Sequence, residues 1–432
     1  MEIIALFDWL DDQIWTYLAS PLIIMLGVAL TYRYKAAQLR RSKRISPLLM
    51  ECYTCPDSGT RGISPLYAFY MTIGGCIGVA NIVAVCTAVR LGGPGALFWM
   101  WVAAFFGMLV KYAEIYLGVK FRIANQEGSY DGGPIYYFKK VFSSPFPSVL
   151  FAMMLAIYGT EVYMFKVVSD SFIINWHLPN YVVIPTLLGL VLLAVTGGGS
   201  RVGKICGVMM PAFIGVYCFM GLWVLGNHIT MLPSMLFMVV KSAFTGHAAV
   251  GGFAGSSMMV AMSQGMKRAC YTADIGVGYA GVVCAETQDS DPTKQADLSI
   301  LGVFLDTFVV CTMSVLLVLV TGVWTQGLPE SEWVLTALGL YFPYMNIFMP
   351  IFIFLLGYST IISYFHVGRK CLVYLLPNIG GKLYYVYAMA AFVVFSFVEQ
   401  SHAILLMQFC GAIMLLLNLY AIVRLHGEIQ ID

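Results

Sequence analysis

Apolar runs of about 20 residues, long enough to cross a bilayer core as a helix, recur along this chain with short polar connections between them. Eleven are read, at 16–34, 64–89, 94–120, 147–170, 181–197, 205–226, 247–267, 298–322, 344–366, 383–398 and 402–424. The stretch 229–245 is apolar but short and carries Pro233, so it reads as a re-entrant or interfacial helix on the outer side. The pattern predicts an all-α integral membrane protein.

The polar connections supply an orientation. Arg33, Lys35, Arg40, Arg41, Lys43 and Arg44 follow the first run, and Arg122, Lys139 and Lys140 the third. Arg201 and Lys204 follow the fifth; Lys267, Arg268 and Lys294 the seventh; Arg369, Lys370 and Lys382 the ninth; and Arg424 ends the eleventh. Opposite connections carry little beyond Arg90 and Lys241. Basic loops stay cytoplasmic, which puts the N-terminus outside and the C-terminus in the cytoplasm. Residues 1–45 then hold one helix and the start of a basic loop, 60–228 a group of five, and 229–426 the outer segment and a second group of five. Five is odd, so the second group enters from the opposite face: an inverted repeat.

Composition agrees. Of 432 residues 60% are hydrophobic and 11% charged, with mean hydropathy +0.82, where a soluble chain carries about a quarter charged. Net charge of +2 gives no footing for nucleic acid. The acidic start, with Asp8, Asp11 and Asp12, lacks the basic region of a signal peptide. Eleven cysteines sit mostly inside apolar runs, as small buried hydrophobes do. Cys52 and Cys55 lack the further ligands a zinc site needs. No phosphate-cradling glycine–lysine loop or cluster of catalytic groups is present, so neither an ATP-driven pump nor an enzyme is read. A channel would need polar or charged rings, and this chain offers single buried charges.

Two apolar runs are broken by glycine in matching places, from Ile73 to Asn81 and from Val250 to Ser257. Each falls in the first run of its half. Glycine lets backbone groups leave the helical ladder, and in hydrocarbon those groups must line a cavity or meet a ligand. Such paired breaks point to a transporter's binding site; close packing by small residues is the competing reading. Ionisable groups inside the runs are functional candidates. Lys111 and Glu114, three apart on one helix face, can pair structurally. Asp306 has no local partner, and Asp274 lies in a polar segment where it could gate or cap a short helix. Glu161 and Lys166 are poorly phased for each other. Ser359 and Thr360 offer oxygens suited to a hard monovalent cation, or bond back to their own helix.

At these residues the chain resembles the sodium:alanine/glycine symporter family, the amino-acid carriers of LeuT-type fold. The match runs from Leu91 to Trp101 and through Gly107 and Met108 to Lys111–Glu114. It continues at Gly132–Tyr137, Arg201–Lys204, Gly251–Gly255, Phe304–Thr312 and Ser359–Ile361. Where the family reads Gly-Thr-Gly-Asn-Ile-Ala, this chain has Gly78-Val79-Ala80-Asn81-Ile82-Val83; where it reads Ser-Asn-Glu-Ala-Gly, this chain has Thr272-Ala273-Asp274-Ile275-Gly276. Gly159-Thr160-Glu161-Val162-Tyr163 replaces a Gly-Asn-x-Val-Gln pattern, and Ser363-Tyr364 follows where Gly-Trp is usual.

The resemblance implies eleven helices, one plus five plus five inverted, with discontinuous first helices in each half. It implies import of alanine, glycine or D-alanine with sodium by alternating access across a bacterial inner membrane, with no other cofactor. Asn81 and the backbone at Gly78 would hold the substrate carboxylate, and Gly252 and Gly255 its ammonium, with Ser256 and Tyr364 completing the pocket. Ser359, Thr360 and the Ala80 carbonyl would hold sodium, and Asp306 and Asp274 would couple or gate. The alternative is a proton-coupled carrier using Asp306 or Asp274.

Overall fold

The computed structural model describes residues 9, 13–54, 61–245, 258–398 and 400–431. Helix α1 (Ser20–Arg33), entered through the π-wound turn Ile14–Ala19, is followed by α2 (Ala37–Thr54). A bent pair comes next, α3 (Pro65–Cys76) and α4 (Ala84–Gly92), and then α5 (Ala96–Lys120). A hairpin of β1 (Ile123–Ala124) and β2 (Tyr130–Asp131), pairing Ile123 with Asp131, leads to the single turn α6 (Pro134–Tyr137). The first half closes with α7 (Phe146–Tyr158), α8 (Val162–Trp176), α9 (Asn180–Val195) and α10 (Gly198–Asn227). After α11 (Leu232–Phe244) come α12 (Met258–Thr272), α13 (Tyr279–Ala285) and α14 (Pro292–Val303). A π-wound stretch, Phe304–Cys311, joins α14 to α15 (Thr312–Thr321). The chain ends with α16 (Trp333–Gly339), α17 (Met345–Leu375), α18 (Gly380–Phe395) and α19 (Gln400–Leu425).

Seven described helical stretches are long and apolar enough to cross a membrane, and α3 with the segment Val79–Gly92, bent by 57°, makes an eighth. Helices α9, α11 and α18 are apolar but shorter. Of the run expected at 247–267, residues 247–257 lie outside the described residues, and the described helix Met258–Thr272 continues past the expected end. Lys267 and Arg268, expected in a cytoplasmic loop, therefore lie inside α12, and Lys267 is buried. Their support for the loop's orientation falls away, because a basic pair inside a helix says nothing about loop charge.

The core is built around α5, which packs against α12, α13 and α14. Glycine makes the α5–α13 crossing possible: a Cβ on Gly118 would stand 2.6 Å from the Gly281 carbonyl oxygen. Close backbone approach of this kind replaces the hydrophobic drive that helices in lipid lack.

Candidate functional site

The first departure from helix follows Cys76. Ile77 and Gly78 are extended, and a single 3₁₀ turn, Val79–Asn81, precedes α4. The Gly78 N–H donates to Asn81 Oδ1 at 2.9 Å, while Asn81 Nδ2 donates to Asp306 Oδ1 at 2.6 Å and reaches Cys311 Sγ at 3.3 Å. The Asn81 side chain, expected to hold a substrate carboxylate, is thus spent on closing the turn and binding Asp306. The N–H groups of Val79 and Ala80 make no hydrogen bond to described residues. Orphan donors open a helical turn, and two of them stand here, beside the residue that was expected to bind.

Asp306 is fully buried and is a node rather than a lone charge. Besides Asn81 it accepts from Thr307 Oγ1 at 2.9 Å and Thr272 Oγ1 at 3.4 Å, so it ties the first break to the end of α12. It stands in the π-wound turn, a geometry frequent at functional sites.

The second described departure is Ala273–Gly278, between α12 and α13. Asp274, Gly276 and Gly278 all have left-handed φ, at 52°, 78° and 101°. The glycines tolerate this; for aspartate it is a strained conformation that surrounding structure must hold. The break expected at Gly251–Gly255, with Gly252, Gly255 and Ser256, lies outside the described residues.

Lys111 and Glu114, expected to pair with each other, each hold one side of this second departure instead. Lys111 Nζ donates to the Ala273 carbonyl at 2.5 Å and to Cys76 Sγ at 3.0 Å, joining the ends of α12 and α3. Glu114 accepts from the Gly278 and Gly281 N–H groups at 3.1 and 3.0 Å, capping α13, and from Asn418 Nδ2 at 3.1 Å. A carboxylate at a helix N-terminus satisfies orphan donors and opposes the dipole. Asn418 also donates to the Gly276 carbonyl at 2.9 Å and accepts from the Tyr137 hydroxyl.

Asp274 is 2% exposed, and neither carboxylate oxygen makes a well-formed hydrogen bond among the described residues. The Lys111 ammonium, the Tyr364 hydroxyl and the Ala280 N–H act on this carboxylate and favour its charged form only in part against burial. Tyr364 is buried and stacks on Tyr279 with ring centroids 3.9 Å apart. The Tyr279 hydroxyl donates to the Met71 carbonyl at 2.8 Å, its ring lying where a Cβ on Gly75 would intrude at 2.5 Å.

On α17, Ser359 bonds back to the Leu356 carbonyl at 2.8 Å, whereas Thr360 Oγ1 donates across to the Gly74 carbonyl at 2.8 Å. A Cβ on Gly78 would lie 3.3 Å from Thr360 Oγ1, so this hydroxyl stands against the first break.

A cavity of about 710 Å³ leads inward to this region, its walls including Val79, Val83, Tyr163, Asp170, Glu332 and Met349. The other end of α3 is closed. Glu286, just after α13, pairs with His366 Nε2 at 2.7 Å and Lys370 Nζ at 3.0 Å, and Lys370 reaches Asp131 at 3.0 Å. Ile63 bridges to this segment through the Glu286 carbonyl at 2.9 Å. Burial would raise the Glu286 carboxyl, but the charges of His366 and Lys370 outweigh it and hold it down at about 2, from an ordinary 4.5. A folded-state value below the unfolded one stabilises fully above pH about 4.5 and fades only as pH falls toward 2. The Glu286 carboxylate is therefore expected to keep its charge between pH 8 and 5, and Glu286→Gln, which leaves Lys370 with Asp131 alone and His366 without its carboxylate, is expected to cost about 3 kcal/mol across that range. Thermal melts of both proteins across that pH range check this.

The sequence singled out none of Glu286, Asn418, Tyr279 or Thr272; Glu286 is recognisable only once α13 and α17 meet.

Comparison with known proteins completes the picture. The chain matches the sodium:alanine symporter family over residues 1–431. An uncharacterised transporter of Haemophilus influenzae is 31% identical over 399 residues, 89% of this chain and 85% of that protein. The sodium/alanine symporter AgcS of Methanococcus maripaludis is 29% identical, covering 89% and 86% of the two chains. Among solved structures, MhsT in complex with L-phenylalanine superposes with TM-score 0.59 at 14% identity, over 85% of this chain and 90% of that one. The fold is LeuT-like, and the family match makes the chain a multi-pass membrane transporter and not an enzyme. The chain belongs to the sodium:alanine symporter family, whose activity is symport of amino acids with sodium.

Proposed function

We propose that this protein imports a small neutral amino acid, alanine or glycine and D-alanine among the candidates, with sodium as the coupling ion. In this reading the helices form one leading span and two inverted groups of five (60–228 and 229–426). Residues 65–92 and 258–285 are the discontinuous first helices of the two groups. The N-terminus is outside a bacterial inner membrane and the C-terminus is cytoplasmic. Substrate enters through the cavity that ends at Val79 and leaves after the Glu286 closure opens.

One observation carries the reading. Groups of opposite sign without a well-formed hydrogen bond among the described residues stand at the two breaks: the Val79 and Ala80 N–H groups at one, the Asp274 carboxylate at the other. A zwitterion supplies both missing partners, its carboxylate at Val79–Ala80 and its ammonium at Asp274. Lys111 partly offsets Asp274 before substrate arrives and is already engaged elsewhere. Sodium would take the Thr360 hydroxyl and the Gly74 carbonyl, oxygen donors that suit a hard cation. The membrane potential then contributes about 2.3 kcal/mol per charge per 100 mV to uptake.

Reconstituted vesicles with sodium and pH gradients imposed separately test this. Sodium alone is expected to drive alanine accumulation; accumulation driven by pH alone transfers the role to a proton on Asp274 or Asp306. Thr360→Ala is expected to raise the sodium concentration for half-maximal uptake about tenfold, the loss of roughly 1.4 kcal/mol. Thr360→Ser, keeping the hydroxyl, should stay near wild type. Equal sodium dependence in all three proteins would remove Thr360 from the ion site.

A further inference from the structure

Helix α2 has three faces, and the transport reading uses none of them. The chain turns sharply after α1 through Lys35 and Ala36, both left-handed at φ 51° and 52°. Arg41 then pins α2 to α14 through Asp297, at 2.9 Å with both side chains buried. The second face, with exposed Leu39, Met50 and Tyr53, forms one wall of a cavity of about 1070 Å³. Phe105 of α5 and Phe304 and Phe308 of the π-wound turn form the facing walls. The third face is basic: Arg40, Lys43 and Arg44 are all exposed, and none makes an ion pair among the described residues.

Counting round the helix at about 100° per residue, Lys43 stands next to Leu39 and Met50, and Arg40 stands beyond it. An apolar groove is thus flanked by positive charge that forms no ion pair among the described residues, on an amphipathic helix joined directly to a span. Such a helix lies in the membrane interface with its apolar side among acyl chains. Basic clusters beside a span attract anionic headgroups. A second copy of the chain fits less well, because a two-fold contact on this groove would bring the same cations face to face.

We infer that the groove between α2, α5 and the Phe304–Phe308 turn is a binding site for one anionic phospholipid. Its acyl chains lie on Leu39, Met50, Phe105, Phe304 and Phe308, and its phosphate lies against Lys43 and Arg40. The site is independent of which amino acid is carried. It also touches the transport machinery from outside, since the turn bearing Phe304 and Phe308 carries Asp306 on its buried side.

Native mass spectrometry of the purified full-length protein, equilibrated with palmitoyl-oleoyl phosphatidylglycerol or phosphatidylcholine, tests the site. Wild type is expected to retain one phosphatidylglycerol at least fivefold better than phosphatidylcholine. Arg40→Gln/Lys43→Gln should remove that preference while leaving the thermal midpoint unchanged. Ser46→Trp, which fills the groove from α2, should lower retention of both lipids. Equal retention of the two lipids by wild type overturns the inference, as does undiminished phosphatidylglycerol retention by Ser46→Trp. A dimer that Ser46→Trp abolishes would overturn it in favour of a second copy.

Discussion

Asp274→Asn is expected to weaken sodium-driven alanine uptake by about a hundredfold while leaving the substrate-free protein as stable as wild type, or more so. Truncating one partner of a buried charge pair costs about 2–5 kcal/mol, and the lower half of that range already corresponds to a hundredfold in affinity. The stability half of the expectation follows from the buried Asp274 carboxylate lacking a well-formed hydrogen bond among the described residues. A buried carboxylate without one is a cost to the fold, so a neutral amide of the same shape relieves it. Sites kept for function at the expense of stability behave this way. Uptake assays and thermal melts on the same preparation separate this from a structural role, in which both quantities would fall together. Asp274→Glu keeps the charge but lengthens the side chain in a left-handed backbone position, and it should recover only part of the uptake.

The two breaks were not equally legible in the sequence. The first was, because glycines interrupt an otherwise apolar run at Gly74, Gly75 and Gly78, and composition alone exposes the interruption. At Ala273–Gly278 the sequence marked only a polar segment in which Asp274 could gate or cap a short helix. Asp274 and the preceding Lys267 and Arg268 made the stretch look like a solvated loop, although Lys267 and Asp274 are buried. Hydropathy cannot tell a polar loop in water from a polar segment buried inside the bundle; only packing against α5 makes the distinction. The same limit applies to Asn81. Its position at a break suggested a ligand for substrate, but its partner Asp306 is 225 residues away in sequence. In the proposed reading, the substrate carboxylate then meets the backbone N–H groups of its neighbours Val79 and Ala80. Lys111 and Glu114 were correctly placed on one helix face, yet helical spacing shows only that two side chains can meet. Here α12 and α13 offer each a better partner: a carbonyl for the ammonium and free N–H groups for the carboxylate.

That division of partners makes Lys111 the most consequential single position. Its ammonium is the contact that holds Cys76 and Ala273 together, and it is the positive neighbour of both Asp274 and Asp306. Lys111→Met keeps the length and apolar bulk of the side chain and removes only the charge and its hydrogen bonds. Two buried carboxylates are then left without their cation, a loss of about 3–5 kcal/mol, which is a large fraction of a typical folding free energy. The expected result is no detectable uptake and a strongly reduced yield of folded protein. If the defect is electrostatic, adding Asp274→Asn to Lys111→Met should restore folding toward wild type without restoring transport. The double variant should then be more stable than Lys111→Met alone. Neighbouring charges are coupled in this non-additive way, and independent packing defects are not. Equal instability of Lys111→Met with and without Asp274→Asn would mean that Lys111 acts only by bridging the two helix ends, and that the charge of Asp274 is balanced elsewhere.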